Sequence, residues 1–276
     1  IGTDVMASVN NDKADSNIAI GNDSLTGGTG GLLHNVAIGI NALRSTGANN
    51  STGSIAIGRN SLTAMTTGHS NVAIGYEAGQ AITTSNQNVA LGWYALREHV
   101  GGGSNIAIGP NAMDETDGSN AAASAYNIAI GRDALGGDWA NATSNSNIAI
   151  GAFAMDSVLS ELTTGDNNVA IGQEALGSLT EGLNNVAIGY DAAKAMTTAN
   201  RNIAIGFEAL RTEDADGDRT TAIGYQALYS QNGTTEAMAN TGLGYQTAFY
   251  NATGIQNVYV GYQAGVGTSG YNNSNN

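Results

Sequence analysis

The chain has 276 residues, nine Lys plus Arg against 23 Asp plus Glu, a net charge of -14, 39 glycines, one proline and no cysteine. That acidic balance argues against nucleic acid and anionic membranes as partners, and the missing thiols remove disulfide, thiolate-metal and redox chemistry. No apolar run approaches the roughly 20 residues that a membrane helix needs, so no membrane insertion is expected.

Residues 1–16 read as a flanking segment that starts at Ile1 without a signal peptide. From Asn17 onward the chain spells versions of Asn-Val/Ile-Ala-Ile-Gly-x-polar-Ala-Leu fourteen times, over about residues 17–265. The anchoring glycines are Gly21, Gly39, Gly58, Gly75, Gly92, Gly109, Gly131, Gly151, Gly172, Gly189, Gly206, Gly224, Gly244 and Gly261, spaced by 17 to 22 residues. Residues 266–276, ending in Tyr271-Asn272-Asn273-Ser274-Asn275-Asn276, read as a second flank; neither end reads as the polar cap that stops a solenoid from growing end to end, so flanking sequence or neighbouring subunits are expected. Self-similarity at this period predicts a solenoid: one all-β repeat domain, residues 1–276, of about fourteen coils.

Each column of the repeat reports what one place in the coil tolerates. The position four before the glycine is Asn in twelve copies, with Ser54 and Thr220 as exceptions, and the position just before it is always Ile, Leu or Val. Side chains alternate along a strand, so in Asn71-Val72-Ala73-Ile74-Gly75 the two β-branched residues share one face and Ala73 points to the other. Hydrophobicity assigns Val72 and Ile74 to the inside. The Ala and Gly face is then expected to meet another backbone, and enlarging Ala73, Ala90 and Ala107 to Leu is expected to block assembly while sparing the coil cores.

After the glycine come a variable residue, a polar one such as Asp23, Glu77 or Gln226, then Ala or Ser, then a Leu or Met such as Leu62 or Met113 that inserts into the core from a second side. The remainder of the coil is Thr, Ser, Gly and Asn, which is turn chemistry. The shortest coils, 17 residues between Gly58 and Gly109 and between Gly172 and Gly206, suggest two short strands and two turns per circuit. Circuits stacked in register about 4.8 Å apart would make a parallel rod of roughly 65 Å. An amide recurring at one place in every rung can accept from one neighbour and donate to the other, which predicts an asparagine ladder. The core is thin for the length, with three Phe and two Trp, so lateral packing of several chains is expected to supply the missing burial.

Strings such as Asn185-Val186-Ala187-Ile188-Gly189-Tyr190 and Thr221-Ala222-Ile223-Gly224-Tyr225-Gln226-Ala227-Leu228 resemble the repeats of trimeric autotransporter adhesin heads and of phage tail fibre and tailspike shafts. The resemblance covers about Asn17 to Gly265. It implies a left-handed parallel β-roll, assembled as a homotrimeric fibre and working outside the cell or on a virion. The insertions at 114–126, 136–146 and 156–167 are longer and less regular than in the adhesin heads, which favours a fibre or spike segment.

Few residues point to chemistry. His34, His69 and His99 fall in different turns without metal-ligand spacing, and Gly27-Gly28-Thr29-Gly30-Gly31 has no following Gly-Lys-Ser/Thr, so it reads as a turn and not a phosphate loop. In Glu213-Asp214-Ala215-Asp216-Gly217-Asp218, the alternating Asp214, Asp216 and Asp218 could converge on calcium, although the twelfth position of such a loop is Tyr225 and not Glu. Glu174 and Asp191, on successive coils, could stand within catalytic range for glycan cleavage, yet their column holds Asp, Asn, Glu and Gln interchangeably and reads as a polar ladder.

Directly after the anchor glycine stand Tyr76, Trp93, Tyr190, Phe207, Tyr225, Tyr245 and Tyr262. Facing out, they would form a stripe suited to stacking on sugars; facing a neighbouring chain, they would be interface packing. The expected function is a structural shaft contributing to host or surface attachment, not an enzyme, without a cofactor. Its expected partners are its own copies, fibre or baseplate subunits at its ends, and cell-surface glycan. A glycan-binding adhesin using the aromatic stripe is the alternative. An ice-binding solenoid is disfavoured, because pairs such as Thr66-Thr67 and Thr83-Thr84 are adjacent and their side chains diverge.

Overall fold

A computed structural model describes residues 1–6, 14–27, 31–44, 51–115, 124–137, 143–157, 166–213, 217–232 and 238–268. Two compact units, Ile1–Thr143 and Ser144–Asn276, divide the chain. Each is built from three-residue strands laid parallel, each pairing with its counterpart one repeat on; the first unit adds a two-residue parallel pair, Ala14–Asp15 with Leu32–Leu33, and no helix occurs among the described residues. The first unit stacks Ile18–Ile20, Val36–Ile38, Ile55–Ile57, Val72–Ile74, Val89–Leu91, Ile106–Ile108 and Ile128–Ile130. The second stacks Ile148–Ile150, Val169–Ile171, Val186–Ile188, Ile203–Ile205, Thr221–Ile223, Thr241–Leu243 and Val258–Val260. Register is strict, with Val72 opposite Val89, Ala73 opposite Ala90 and Ile74 opposite Leu91. The chain is therefore an all-β parallel solenoid.

The faces are the reverse of those assigned from hydrophobicity. Ala73 is fully buried, whereas Ile74 is 40% exposed and Val72 is half-buried. The same inversion holds at Ala56, Ala90, Ala107, Ala170, Ala187 and Ala204. Its cause is the narrowness of the coil. The opposite wall already fills the interior with Leu62, Met65, Ile82, Leu96, Met113 and Leu176, all buried, and a second layer of branched side chains has no space. At Gly242, which takes the alanine place, even a methyl group would sit 2.9 Å from Leu228 Cγ and from Thr247 Oγ1.

The second side of each coil is also not a strand. It is a run of turns in which non-glycine residues two and four places after the anchor adopt left-handed backbone, as Asn60 and Leu62 do at φ 59° and 48°. Such conformations cost L-residues free energy, and here they are held from rung to rung. Asn60 N–H donates to the Ile40 carbonyl at 2.9 Å and Leu62 N–H to the Ala78 carbonyl at 3.1 Å. Those alternating left-handed residues turn the Leu and Met side chains inward.

The anchor glycines are invariant because the rungs touch there. At Gly21, φ is 128° and a Cβ would lie 2.5 Å from the carbonyl oxygen of Gly39. Residues 1–6, outside the span read as repeats, join the same stack: Gly2 has φ 146°, and Gly21 N–H donates to the Ile1 carbonyl at 2.8 Å and Asp23 N–H to Thr3 at 3.1 Å. Ile1-Gly2-Thr3-Asp4-Val5-Met6 carries the second half of the repeat without its Asn-Val-Ala half, which is why a search for the whole pattern passes over it.

The asparagine column is a buried ladder. Asn71 Oδ1 accepts the backbone N–H of Asn88 at 2.9 Å, Asn88 Oδ1 accepts that of Asn105 at 2.9 Å, and Asn105 Oδ1 that of Asn127 at 3.0 Å. Each side-chain NH2 donates onward, Asn71 to the Ser85 carbonyl at 2.8 Å and Asn88 to Gly102 at 3.1 Å. The second unit repeats this from Asn147 through Asn168 and Asn185 to Asn202. Where Thr220 interrupts the column, Gln231 bridges the gap, donating to Thr220 Oγ1 at 3.0 Å and accepting from Asn240 at 3.0 Å.

Two substitutions test this anatomy by urea unfolding. Ala90→Leu is expected to destabilise the chain itself by about 1–3 kcal/mol through overpacking, where an outward-facing Ala90 would leave stability unchanged. Asn88→Ala strands the buried Asn105 N–H and removes a donor from Gly102, for an expected loss of about 2–4 kcal/mol.

Candidate functional surface

The strand residues that leave the core open onto an apolar strip. Its columns are the Val/Ile positions three and one before the glycine and the variable position one after it, all on the side away from the buried alanines. Ile74, Ile171, Ile203 and Leu243 are exposed along it, and at the last described rung Val258 and Val260 reach 73% and 63%. Side chains in register on a parallel sheet make this surface continuous within each unit. Contiguous exposed apolar surface of this kind is uncommon on a chain that meets only water.

The aromatic column forms one edge of that strip, and all seven predicted rings sit there. In the second unit Tyr190, Phe207, Tyr225, Tyr245 and Tyr262 form an unbroken ladder, with centroids 5.1–5.2 Å apart and ring planes within 6–11° of one another. Stacked so, the rings spend their faces on each other and turn edges and phenol oxygens outward. Sugar stacking uses ring faces, and within this ladder the inner rings have both faces covered by their neighbours. In the first unit Trp93 stacks on Tyr94 at 4.0 Å, Tyr76 tilts against Tyr94 at 5.6 Å, and the Arg97 guanidinium lies 4.3 Å from the Tyr94 ring centre.

The polar column two places after the glycine is a second ladder beside the rings. Asn41 donates to Asn60 at 2.9 Å and Asn60 to Glu77 at 3.1 Å; in the second unit Gln263, Gln246, Gln226 and Glu208 link in sequence at 2.7–3.1 Å. Glu174 and Asp191 belong to this column and share one cation: Lys194 Nζ pairs with the Glu174 carboxylate and lies 3.6 Å from Asp191, which also takes Arg211 Nε at 3.0 Å. Donation from Lys194 holds the Glu174 carboxyl below its ordinary range, the reverse of the tuning of a general acid. Beside them a cleft of about 390 Å³ is lined by Phe153, Asp156, Glu174, Gly177, Ser178 and Lys194. Phe153 and Tyr94 are the aromatic exceptions in an otherwise polar column.

Of the calcium candidates, Asp214 and Asp216 lie outside the described residues. Asp218 is nearly buried and serves the stack, since its carboxylate accepts from Asn200 N–H at 2.6 Å and from the Asn200 amide at 3.3 Å. Glu213 is buried against Gly217. No group of three metal-capable side chains occurs among the described residues. Gly28, Thr29 and Gly30 of the glycine-rich run also lie outside them.

His34 and His69 are exposed, but His99 is fully buried, a placement that the sequence pattern did not flag. It takes the inner place that Met65 and Met196 hold in other coils, six residues before the ladder asparagine, with Nε2 3.0 Å from the Gly102 carbonyl. Burial pushes its pKa down to about 4 against the help of that carbonyl. In the following coil burial pushes Asp114 up to about 7, opposed by Arg97, whose Nε is 3.1 Å away.

Between about pH 6.5 and 4 the unfolded chain takes up a proton at His99 that the folded chain refuses, so stability falls as pH drops through that window. We expect the wild type to lose up to about 3 kcal/mol there relative to His99→Met, read from urea midpoints at pH 7 and pH 4. Equal pH profiles for the two proteins would contradict the burial of the ring.

Comparison of the chain with protein-family models, with curated proteins and with solved structures finds no match.

Proposed function

We propose that this chain is a segment of the shaft of an extracellular or virion fibre, in which about fourteen coils of each of three copies pack around a common axis by their Val/Ile strips. The fibre contributes to attachment to a host or surface, and its reading as a tail fibre or tailspike segment rests on the resemblance of the repeats. The observation that carries the proposal is the inverted sheet. A solenoid whose interior is already filled by Ala, Leu and Met presents in-register columns of Val and Ile to the outside. In water that strip is a liability, and between sister chains it is a core.

The width of the strip suits three chains. Six residue steps across it span up to about 20 Å, and three such faces closed into a prism stand about 6 Å from the axis, close to half of the roughly 10 Å at which sheets pack. Chains assembled this way carry no charged residue in the two strand columns, because those columns hold only Val, Ile, Leu and Thr.

A glycan-binding adhesin is the second reading. The observation behind it is the cleft beside Phe153, where a ring, a carboxylate pair, a serine and a lysine converge; specific hits on a glycan array that vanish with Phe153→Ala would support it.

The shaft reading is tested by mass in solution. Wild type is expected to sediment as three chains and to image as a slender rod. Replacing Ile74, Leu91 and Ile108 by Lys is expected to yield folded single chains, with the circular dichroism of the β-solenoid retained. A wild type that sediments as one chain at micromolar concentration would refute the assembly.

A further inference from the structure

We infer that the cleft beside Phe153 is a subsite for a single uncharged pyranose at the end of a glycan, seated in a gap that Gly177 leaves in the outer wall of the coil; this deepens, and rests on, the glycan-binding reading above. The position five after each anchor glycine forms a column next to the polar one. In the second unit its successive occupants include Asp156, Gly177, Lys194, Arg211, Tyr229 and Phe249. From Lys194 onward long side chains fill it, with Arg211 Nη1 3.3 Å from the Tyr229 hydroxyl and the Tyr229 and Phe249 rings stacked at 4.8 Å. At Gly177 the wall loses one side chain, and the cleft opens there.

The backbone around the gap keeps the regular stack. Glu174 N–H donates to the Ala152 carbonyl at 3.0 Å and Ser178 N–H to the Lys194 carbonyl at 3.1 Å. Asp156 and Lys194 therefore stand two rungs apart, roughly 10 Å, and close the gap at both ends along the stack. That is room for one sugar ring and not for a saccharide chain lying lengthwise. The ring entering it leaves by its linkage toward solvent, which selects a terminal residue.

Phe153 differs from its counterpart in the first unit. Tyr94 holds the same column place, and the residue three on, Arg97, lays its guanidinium 4.3 Å from the Tyr94 ring centre. Three on from Phe153 stands Asp156, and the next rung offers Gly177, so neither place brings a cation or bulk to the ring. Phe153 lines the cleft instead, an apolar surface for the C–H face of a sugar.

The polar lining sets the charge of the ligand. Glu174 pairs with Lys194, whose donation holds its carboxyl below the ordinary range and so keeps it an ionised acceptor. Their side chains are 29% and 32% exposed, which leaves both within reach of an incoming hydroxyl. A sugar hydroxyl both donates and accepts, so neighbouring hydroxyls can meet a carboxylate and the ammonium together, with the Ser178 hydroxyl as a further partner. Two carboxylates line the cleft against one ammonium. An acidic sugar meets repulsion from the first, and a cationic ligand meets Lys194 as a like charge. The cleft lies on the turn side of the coil, so chains that pack by their strand side leave it open, and the shaft reading and this one coexist.

The test is ligand-observed NMR on the full chain, with methyl galactoside, glucoside and mannoside as neutral probes and methyl glucuronide as the acidic one. At least one neutral probe is expected to bind at millimolar strength, and the glucuronide about tenfold more weakly than the best of them. Gly177→Gln refills the column as Gln80 does in the first unit. The turn accepts it, because Gly177 N–H donates to the Glu174 carbonyl at 3.1 Å as Gln80 N–H does to Glu77 at 3.3 Å, and the φ of Gly177 is not left-handed. G177Q is expected to abolish binding with an unchanged urea midpoint. Phe153→Asn, which installs the residue found at Asn41, Asn60 and Asn111 of the same column, is expected to weaken binding about tenfold and stands in should G177Q fail to fold. Neutral probes that bind both variants as they bind the wild type, or a preference for the glucuronide, would overturn the inference and leave the glycan-binding reading standing. No signal from any probe beside specific hits on a glycan array would do the same. No signal and no hits would remove both.

Discussion

The interior of this solenoid has room for one layer of large side chains, and the rest of the structure follows from that limit. The turn side of most coils claims the space with Leu, Met or Ile, so the strand side admits only the alanine methyl; at the last described rung Gly265 stands in the leucine place and Tyr259 takes the room from the strand side. Once alanine points in, pleating sends its Val and Ile neighbours out. The strongest hydrophobes of the repeat thus lie on the surface because the coil is thin. The anchor glycine obeys the same economy of space, since the rungs approach so closely there that a Cβ would meet a carbonyl oxygen.

Within the stack, polar and aromatic columns divide the work of holding the rungs together. The buried asparagines satisfy backbone donors and acceptors that a three-residue strand leaves over, while the outer Gln and Glu ladder and the stacked rings add contacts along the surface. All of these depend on identical spacing of unlike coils. Insertions are tolerated because they leave the strand, the glycine and the turn after it untouched. The coil between Gly109 and Gly131 is five residues longer than the shortest ones, yet Ile106–Ile108 and Ile128–Ile130 pair in the same register as the rest.

Much of this was legible in the sequence. A fixed-period repeat identifies a solenoid, and the Asn, Gly and Leu/Met columns announce a ladder, a close approach and a core. The orientation of the sheet was not legible, because a period of two says that Val72 and Ala73 face opposite ways and is silent on which way is in; residue hydrophobicity chose Val72, and interior volume chose Ala73. The turn side was mistaken for a strand because left-handed leucines such as Leu62 carry no sequence signal. The burial of His99 was not legible, because a neutral imidazole fills a methionine-sized place without any motif. The aromatic column was visible as residues, but that its rings stack face to face emerges only from the fold.

The asparagine ladder has a chemical consequence beyond its geometry. Asparagine ages when the nitrogen of the following residue attacks its side-chain carbonyl and closes a cyclic imide. Along this column that nitrogen is already engaged, as in Val89, which donates to the Asn105 carbonyl at 2.8 Å, and the residue bearing it is usually β-branched and stiff. The arrangement that sets the rungs therefore also disfavours deamidation of the ladder asparagines for as long as the stack stays folded.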